Sequence, residues 1–264
     1  MIFDEFRAKK SLGQNFILDM GFLKSLVDKL DLSKNDTVIE IGTGPGALTR
    51  VIASRVKTVT TYEIDNTLEP ILQTAFVDID NVMLVMNDIL KVTDFPNTFK
   101  LVANIPYYIT TPIILKFLYD PRCTEINILV QDDVARRIGA NVGTSDYGAL
   151  SVTVQAHATA KIIKTAPRGL FRPAPKVDSA FVTIKKNNRG KELDTTFDKV
   201  VKGLFMARRK TVANGLKQLG YINAVDILKD CGIDNTIRPE NMTVVQFVNL
   251  SDYISKLDKS IAPS

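Results

Sequence analysis

The stretch Asn104-Ile105-Pro106-Tyr107 combines residue types that are suited to holding a planar amine. It ends the apolar run 101–103 in an amide, a proline and an aromatic ring. The asparagine oxygen accepts a hydrogen bond, while Pro106 has no N–H and a fixed φ that helps to orient the neighbouring carbonyl groups. Tyr107 offers a ring face for stacking. We therefore predict an acceptor pocket for the exocyclic amine of a flipped-out base, with a strand-ending turn and core tyrosines as the alternative.

A glycine-rich turn lies earlier in the chain, between a predicted strand and a predicted helix. Gly42, Gly44 and Ala47 match the pattern G-x-G-x-x-G/A. Glycines allow the backbone to turn tightly there and allow a ligand to approach closely. The pattern fits a nicotinamide cofactor and S-adenosylmethionine equally well, and a purely structural turn is a third interpretation.

Two carboxylates favour a ligand-binding role for the glycine turn over a purely structural one. Glu63 ends the next predicted strand, about 20 residues after the turn, where an acid binds ribose hydroxyls. Asp88 follows the third predicted strand, where an acid can accept a hydrogen bond from an adenine amine. Ligands of parallel sheets bind outside the carboxyl ends of the strands. Gly42, Glu63, Asp88 and Asn104 follow four successive strands, so we expect them to line one crevice.

The first two-thirds of the chain alternates predicted strands and helices, which is typical of an α/β fold. Predicted strands cover 37–41, 57–63, 81–86, 99–103, 125–131 and 179–184, and predicted helices cover 47–55, 68–73 and 111–119. Right-handed crossovers then give a mostly parallel sheet with helices on both faces. Residues 151–157 alternate in polarity and predict one further strand, which contains His157, the only histidine.

The last third of the chain has a different pattern. Helical periodicity covers 195–206, 210–220, 224–230 and 243–257. Together with a polar linker over 185–191, this predicts an α/β domain over 1–184 and a small all-helical domain over 185–264. Residues 183–264 hold 14 Lys and Arg against 9 Asp and Glu, which is the whole net charge of +5. This asymmetry predicts a polyanionic partner, with a solvated basic face as the alternative.

Composition excludes several classes of protein. Hydrophobic residues make up 45% and charged residues 24%, as in soluble globular proteins, and no stretch reaches the ~18 consecutive apolar residues of a membrane span. Residues 1–7 carry acids and no apolar signal segment, and Cys123 and Cys231 lie far apart. We therefore expect free thiols in a reducing cytoplasm. One histidine and no cysteine cluster predict no metal site.

Several motifs occur together in a specific order. They are Leu12 to Ile17, Glu40 to Gly46, Asn87 to Leu90, Asn104 to Thr110 and Phe171 to Ala180. As a set they resemble the ribosomal RNA adenine N6,N6-dimethyltransferases. Residues 205–211 and 238–241 resemble the C-terminal domain of the KsgA-type branch, which acts on the small ribosomal subunit. That family usually has Leu where Ile105 stands and often Asn or Gln where Tyr108 stands. The resemblance implies that 1–184 is a Rossmann-like, S-adenosylmethionine-dependent methyltransferase domain.

The resemblance also implies a substrate, a cofactor and a set of site residues. The methyl acceptor is N6 of two adjacent adenosines near the 3′ end of small-subunit rRNA, and the cofactor is S-adenosyl-L-methionine. The implied catalytic residues are Asn104, Pro106, Tyr107 and Phe171, with the two rings on either face of the base. The implied cofactor-binding residues are Gln14, Asn15, Ile17, Gly42, Gly44, Glu63, Ile64, Asp88, Ile89 and Asn104. From the basic charge we further expect RNA to bind at Arg208, Arg209 and Lys210, with Arg136, Arg137, Arg172 and Lys176 as another surface. We further expect a cytoplasmic monomer that acts on the small subunit or its precursor, without a metal ion or a membrane.

Three other functions compete with this one. An Erm-type methyltransferase of large-subunit rRNA, conferring macrolide resistance, would share nearly every motif, and only residues 208–210 and 238–240 argue against it. A ribosome-assembly factor could bind RNA with methylation as a secondary activity. A nicotinamide-dependent oxidoreductase would share the glycine turn, but the Asn-Ile-Pro-Tyr stretch argues against it.

Overall fold

The computed structural model describes residues 9, 12–187, 193 and 195–261, and within them seven strands form one sheet. These strands are β2 (Thr37–Ile41), β3 (Thr58–Glu63), β4 (Val82–Met86), β5 (Phe99–Ala103), β6 (Cys123–Gln131), β7 (Ala158–Ala166) and β9 (Ser179–Lys186). Two further strands, β1 (Phe16–Ile17) and β8 (Phe171–Arg172), pair antiparallel with each other. The order in the large sheet is β4-β3-β2-β5-β6-β9-β7.

The pairs from β4 to β6 are parallel, and β6 and β9 are antiparallel. The chain moves outward from β2 through β3 to β4 and then returns to place β5 on the other side of β2. Neighbouring strands thus lead away from the β2–β5 pair in opposite directions, which is the kind of position where open α/β sheets bind ligands. The predicted α/β class with a mostly parallel sheet is confirmed.

Ten helices accompany the strands within the described residues. They are α1 (Met20–Val27), α2 (Ala47–Ala53), α3 (Glu69–Phe76), α4 (Thr110–Tyr119), α5 (Asp132–Ile138), α6 (Ala149–His157), α7 (Thr195–Met206), α8 (Val212–Gln218), α9 (Ala224–Asp230) and α10 (Val244–Ile261). The central strands read as apolar runs because both of their faces are covered; Leu101, Val102 and Ala103 of β5, for example, have no exposed area. None of the described helices is both long and apolar enough to cross a membrane.

The chain divides into two compact units. Unit 1 holds the described residues up to Ala135 together with Lys161–Lys185, and unit 2 holds Arg136–Ala160 together with the described residues from Lys186 onward. The sequence placed 136–160 with the α/β domain, whereas in the structure α6 belongs to the helical core of unit 2. Of the predicted linker over 185–191, residues 188–191 lie outside the described part, as does the N-terminal stretch 1–7.

The core of unit 2 joins α6 to the helices near the C-terminus. Val152 and Ala156 of α6 lie in one apolar cluster with Phe247 and Leu250 of α10. The hydroxyl of Tyr147, just before α6, donates to the main-chain oxygen of Met242 at 2.9 Å. Residues that are distant in sequence therefore form a single core.

The predicted strand over 151–157 is wrong, because these residues belong to helix α6. The polar positions of this segment are not on an exposed face: Ser151 and Thr153 are buried along with Val152 and Val154. The Ser151 hydroxyl donates to the main-chain oxygen of Arg137 at 2.5 Å, which satisfies it inside the core. The alternation in polarity therefore carried no information about exposure. His157 is buried at the end of this helix.

Candidate cofactor and base site

The carboxyl ends of β2, β3, β4 and β5 open onto a cavity of about 260 Å³ in unit 1. Its lining includes one polar or glycine position after each of these strands, as the spacing in the sequence predicted. The lining residues are Leu12, Gln14, Asn15, Phe16, Ile41, Gly42, Gly44, Tyr62, Glu63, Ile64, Asn87, Asp88, Ile89, Leu90, Asn104, Ile105, Pro106, Tyr108 and Ile109. The structure therefore brings Gly42, Glu63, Asp88 and Asn104 to one crevice.

The glycine turn approaches its neighbours so closely that no side chain fits. Gly42 has a φ of +80°, and a Cβ atom on it would lie 2.5 Å from the main-chain oxygen of Asn104. Gly44 has a φ of +53°, and a Cβ there would lie 2.7 Å from the ring of Phe16. Left-handed backbone and lack of space both require glycine here. The turn is thus fixed against the Asn104 loop on one side and the N-terminal segment on the other.

Main-chain amides hold the Glu63 carboxylate in the cavity wall. One of its oxygens accepts from the Gly44 N–H at 2.9 Å, and the other accepts from the N–H groups of Ile64 and Asp65 at 2.9 Å each. Burial raises the pKa of Glu63, although these three hydrogen bonds act in the opposite direction. Each carboxylate oxygen has more than one acceptor position, so the group can still accept from a diol in the cavity.

The turn after β4 contributes an acid flanked by apolar side chains. Asp88 accepts from the Leu90 N–H at 3.0 Å, which fixes the turn and leaves its carboxylate at the cavity wall. Ile64 and Leu90 also line the cavity and are 55% and 40% exposed. Large apolar side chains that remain this exposed at a cavity wall suit a flat aromatic ligand between them.

The two tyrosines that follow β5 lie in different environments. Asn104, Pro106 and Tyr108 line the cavity, and Tyr107 does not. The Tyr107 hydroxyl instead forms a hydrogen bond with the hydroxyl of Ser179 at 2.7 Å, and burial raises the pKa of this tyrosine. Residues 107–109 form a 3₁₀ turn, in which successive side chains point about 120° apart, so both rings cannot face the cavity. No local pattern indicated that Tyr108, at 67% exposed, would be the ring at the cavity.

Phe171 does not line this cavity, so the expectation that its ring faces a base stays a prediction. Its side chain is fully buried in the apolar core of unit 1, and β8 places it opposite Ile17 of β1. Ile17 is buried in the same cluster, and its neighbours Asn15 and Phe16 line the cavity in its place. Both residues sit in a two-strand ladder that the sequence did not predict, and that ladder requires apolar side chains facing inward.

The basic residues expected to bind RNA are divided between the two units, with Arg172 and Lys176 in unit 1 and the others in unit 2. Arg136 of α5 lies 3.4 Å from Asp146, and Arg137 follows it. Arg172 donates to the main-chain oxygens of Gly169 and Phe171, while Lys176 is exposed. The segment Arg208-Arg209-Lys210 is exposed in a turn between α7 and α8, rather than at the start of a helix as predicted.

A second buried acid, Glu40, lies beneath the glycine turn. One of its carboxylate oxygens accepts from the hydroxyls of Thr49 at 2.5 Å and Thr61 at 2.7 Å, and the other has no partner among the described residues. Burial raises the pKa of Glu40 to about 7, against the two threonine hydrogen bonds that lower it. Nothing local in the sequence distinguishes this residue, because a glutamate inside a strand can be either buried or exposed.

Glu40 should make the stability of the protein depend on pH. Its folded pKa of about 7 exceeds the ordinary 4.5, so the folded state binds the proton more tightly and stability falls as pH rises between these values. The full loss is about 3 kcal/mol above pH 7. Glu40→Gln keeps an acceptor for both threonines without a charge, so its thermal midpoint should fall less than that of the wild type between pH 5 and 8. Equal slopes in the two proteins would contradict this assignment.

The sheet order and the cavity at its switch point define unit 1 as a Rossmann-like methyltransferase domain. Residues 5–256 match the family described as ribosomal RNA adenine dimethylase. The chain therefore belongs to the ribosomal RNA adenine dimethylase family, and the resemblance predicted from its motifs is confirmed.

Individual relatives agree with this assignment. The chain is 41% identical to ribosomal RNA small subunit methyltransferase A of Clostridioides difficile, over 95% of this chain and 92% of the relative. It is 40% identical to the protein of the same name from Streptococcus pneumoniae, over 94% and 92%. Among solved structures, a dimethyladenosine transferase from Plasmodium falciparum superposes with a TM-score of 0.81 at 25% identity, over 90% of this chain and 96% of that one. The 23S rRNA methyltransferase ErmE superposes with a TM-score of 0.70 at 25% identity, over 91% and 99%.

Proposed function

We propose that this protein transfers methyl groups from S-adenosyl-L-methionine to N6 of two adjacent adenosines near the 3′ end of small-subunit rRNA. The observation that carries the proposal is the cavity itself: a ribose-type carboxylate, an adenine-type acid and the stretch after β5, through Asn104, Pro106 and Tyr108, line one space. Membership of the rRNA adenine dimethylase family supports the reaction class. The names of the relatives quoted above support the small subunit as the target.

The residues of the cavity fit S-adenosylmethionine. Glu63 presents acceptors suited to ribose hydroxyls, and Asp88 presents an acceptor suited to an adenine amine between Ile64 and Leu90. Gly42 and Gly44 leave room for the backbone to approach a ligand. When bound, this cofactor supplies a methyl group that is already activated on a sulfonium. The same features do not require a nicotinamide, and the Asn104 stretch gives that ligand no role.

The reaction needs orientation more than proton transfer. An adenine amine is a weak nucleophile, because its lone pair is delocalised into the ring. The amide oxygen of Asn104 and a main-chain oxygen at Ile105 or Pro106 can accept from its two N–H groups and favour a pyramidal nitrogen. Acceptors that are fixed in place before the reaction supply rate through alignment. Tyr108 and Tyr107 are the neighbouring rings, and the exposure of Tyr108 makes it the better candidate for stacking on the base.

A direct assay tests the proposed function. Purified protein is incubated with labelled S-adenosylmethionine and with small or large ribosomal subunits that lack the modification, and the labelled nucleotide is identified. We expect N6,N6-dimethyladenosine in small-subunit rRNA only. Label in large-subunit rRNA would support the Erm-type alternative, for which the fold similarity to ErmE leaves room. A calorimetric titration in which NAD binds and S-adenosylmethionine does not would reject both.

RNA docking is proposed for the exposed turn Arg208-Arg209-Lys210. The three cations line a shallow surface pocket with the 90% exposed Met206. Among the described residues only Arg208 of the three makes a side-chain hydrogen bond, donating to the Ser145 main-chain oxygen at 3.1 Å. Changing all three to Glu should weaken small-subunit binding. It should also lower the slope of log K against log salt by roughly one for each phosphate group that the variant no longer binds. Cofactor affinity should not change.

In the matched control, three exposed lysines elsewhere in unit 2 are changed to Glu: Lys217, Lys229 and Lys256. This variant has the same net charge as the first triple variant. A salt series of subunit-binding measurements compares the two triple variants with the wild type. If both variants behave alike, the effect is one of net charge. If neither changes the slope, the RNA is held elsewhere, with Arg136, Arg137, Arg172 and Lys176 as the next residues to change.

A further inference from the structure

Asp65 lies just outside the cavity and is only 4% exposed, yet it makes more side-chain contacts than any lining acid described above. It does not line the cavity itself. One carboxylate oxygen accepts from the Lys9 ammonium at 2.6 Å and from the Thr67 hydroxyl at 2.6 Å. The other accepts from the Gln14 side-chain amide at 3.0 Å. We call this set of hydrogen bonds the Asp65 clamp, and it reaches beyond the local turn to the N-terminal segment.

The partners of Asp65 tie two parts of the chain together. Lys9 and Gln14 belong to the N-terminal segment, and the Lys9 main-chain N–H donates to the Gln14 side-chain oxygen at 2.7 Å. The Asp65 main-chain N–H donates to Glu63, the carboxylate proposed to bind ribose. Asp65 thus connects the segment before the cavity directly to the strand end that carries Glu63.

The segment from Leu12 to Phe16, here called the N-terminal wall, closes one side of the cavity. At its far end it is held by the pairing of β1 with β8 and by Phe16 against Gly44. At its near end Lys9 and Gln14 contact Asp65, and Gly13 lies against Pro106 and Tyr108. Both polar ends of the Gln14 side chain are used within the protein, by Asp65 and by Lys9. Gln14 therefore serves the cavity by holding the wall rather than by offering a free amide.

We infer that Asp65 is a positioning residue for the cofactor, holding the N-terminal wall against the Glu63 strand end. This inference rests on the cofactor assignment in the proposed function. Burial acts to raise the pKa of Asp65, but the hydrogen bonds from Lys9, Thr67 and Gln14 outweigh it and bring the pKa to about 2. The Asp65 clamp therefore stays charged throughout the range in which enzymes are assayed.

The geometry permits a test by reversing one hydrogen bond. In Asp65→Asn the oxygen must remain toward Lys9 and Thr67, so the new NH₂ group faces the NH₂ group of Gln14 and the two donors repel. Gln14→Glu alone sets two carboxylates against each other. In the double variant an Asn amide donates to a Glu carboxylate, which restores the bond with its polarity reversed and the net charge unchanged.

The experiment measures S-adenosylmethionine and S-adenosylhomocysteine affinity by calorimetry, and KM and kcat on small subunits. Asp65→Asn should weaken cofactor binding by about tenfold and raise the KM for the cofactor, with kcat at saturation and the KM for subunits unchanged. The double variant should recover most of the affinity. Asp234→Asn is the matched control, because Asp234 accepts from the N–H and hydroxyl of Thr236 in the same kind of turn but, among the described residues, has no contact like that of Lys9 or Gln14.

The outcomes separate this inference from the proposed function. Wild-type protein that fails to bind either cofactor form would reject the cofactor assignment. Wild-type protein that binds, with Asp65→Asn binding equally well, would reject only the positioning role. A double variant as weak as Asp65→Asn would also reject it. Thermal unfolding is recorded for every variant, and if Asp65→Asn does not fold, Lys9→Met carries the test: severalfold weaker binding supports the Asp65 clamp, and wild-type affinity overturns it.

Discussion

Asn104→Ala is expected to lower methyl transfer by roughly a hundredfold or more, the size of effect seen when one fixed hydrogen-bonding group is removed from an active site. The Asn104 side chain lines the cavity, and its amide makes no hydrogen bond to another residue in the described part of the chain. It is therefore available to the methyl acceptor. Binding of small subunits should persist, because the basic turn proposed to hold RNA lies in unit 2.

The control for this variant is Asn35→Ala, an exposed asparagine in the loop before β2, at the opposite end of the sheet. Single-turnover methylation, cofactor titration and subunit binding are measured on both variants. Wild-type rates in Asn104→Ala would mean that the methyl acceptor is held elsewhere. An inactive Asn104→Ala that still supports normal subunit assembly in cells would favour the assembly-factor hypothesis over catalysis as the main role.

Gly42→Ala is expected to lose cofactor binding and methyl transfer together. The new Cβ would lie 2.5 Å from the main-chain oxygen of Asn104, and neither partner is a flexible side chain that can move aside. Asn104 follows directly after β5, which pairs with β2 at Ala103 opposite Ile41. Relief of the clash must therefore shift the end of β5, which carries the base-binding stretch. A single methyl group thus disturbs both the cofactor-binding turn and the base-binding stretch.

Gly220→Ala separates this clash from backbone strain. Gly220 has a φ of +99°, so alanine there is also strained, but a Cβ on it would meet no atom within 4 Å. Gly42→Ala should lower the free energy of unfolding by about 1–3 kcal/mol more than Gly220→Ala does, which is the usual range for overpacking. Differential scanning calorimetry and cofactor titration on both proteins measure this. Equal losses would show that strain alone explains the effect, and that Gly42 does not hold the Asn104 loop.

The sequence was sufficient to predict the parallel strands β2 to β6 and their carboxyl ends, although β7 was not predicted. Short apolar runs such as 37–41 and 99–103 are buried on both faces, and a polar residue or glycine that follows such a run must lie at the carboxyl edge. This is why Gly42, Glu63, Asp88 and Asn104 could be placed in one crevice without coordinates. The assignment needed only the shared direction of successive strands.

The burial and orientation of several side chains could not be predicted from the sequence, because they depend on contacts between residues that are distant in the chain. Ser151 and Thr153 read as an exposed alternation, but the core of unit 2 surrounds them. Phe171 belongs to a motif that suggested stacking, and the β1–β8 ladder turns it inward. Which of Tyr107 and Tyr108 faces the cavity depends on a hydroxyl of Ser179, 72 residues away. The Asp65 clamp likewise joins residues 56 and 51 positions apart, a separation that leaves no local pattern.

The discontinuity of unit 2 has a consequence for how the chain can be made. Tyr147 bonds to Met242, 95 residues later, so α6 leaves the ribosome long before the helices that cover it. In a nascent chain, or in a fragment that ends near residue 185, its apolar side chains have no core to enter, and such species should aggregate or engage chaperones. A soluble catalytic unit therefore cannot be obtained by a single cut at the boundary that the sequence suggests. It requires removal of 136–160 as well, with a linker that joins Ala135 to Lys161.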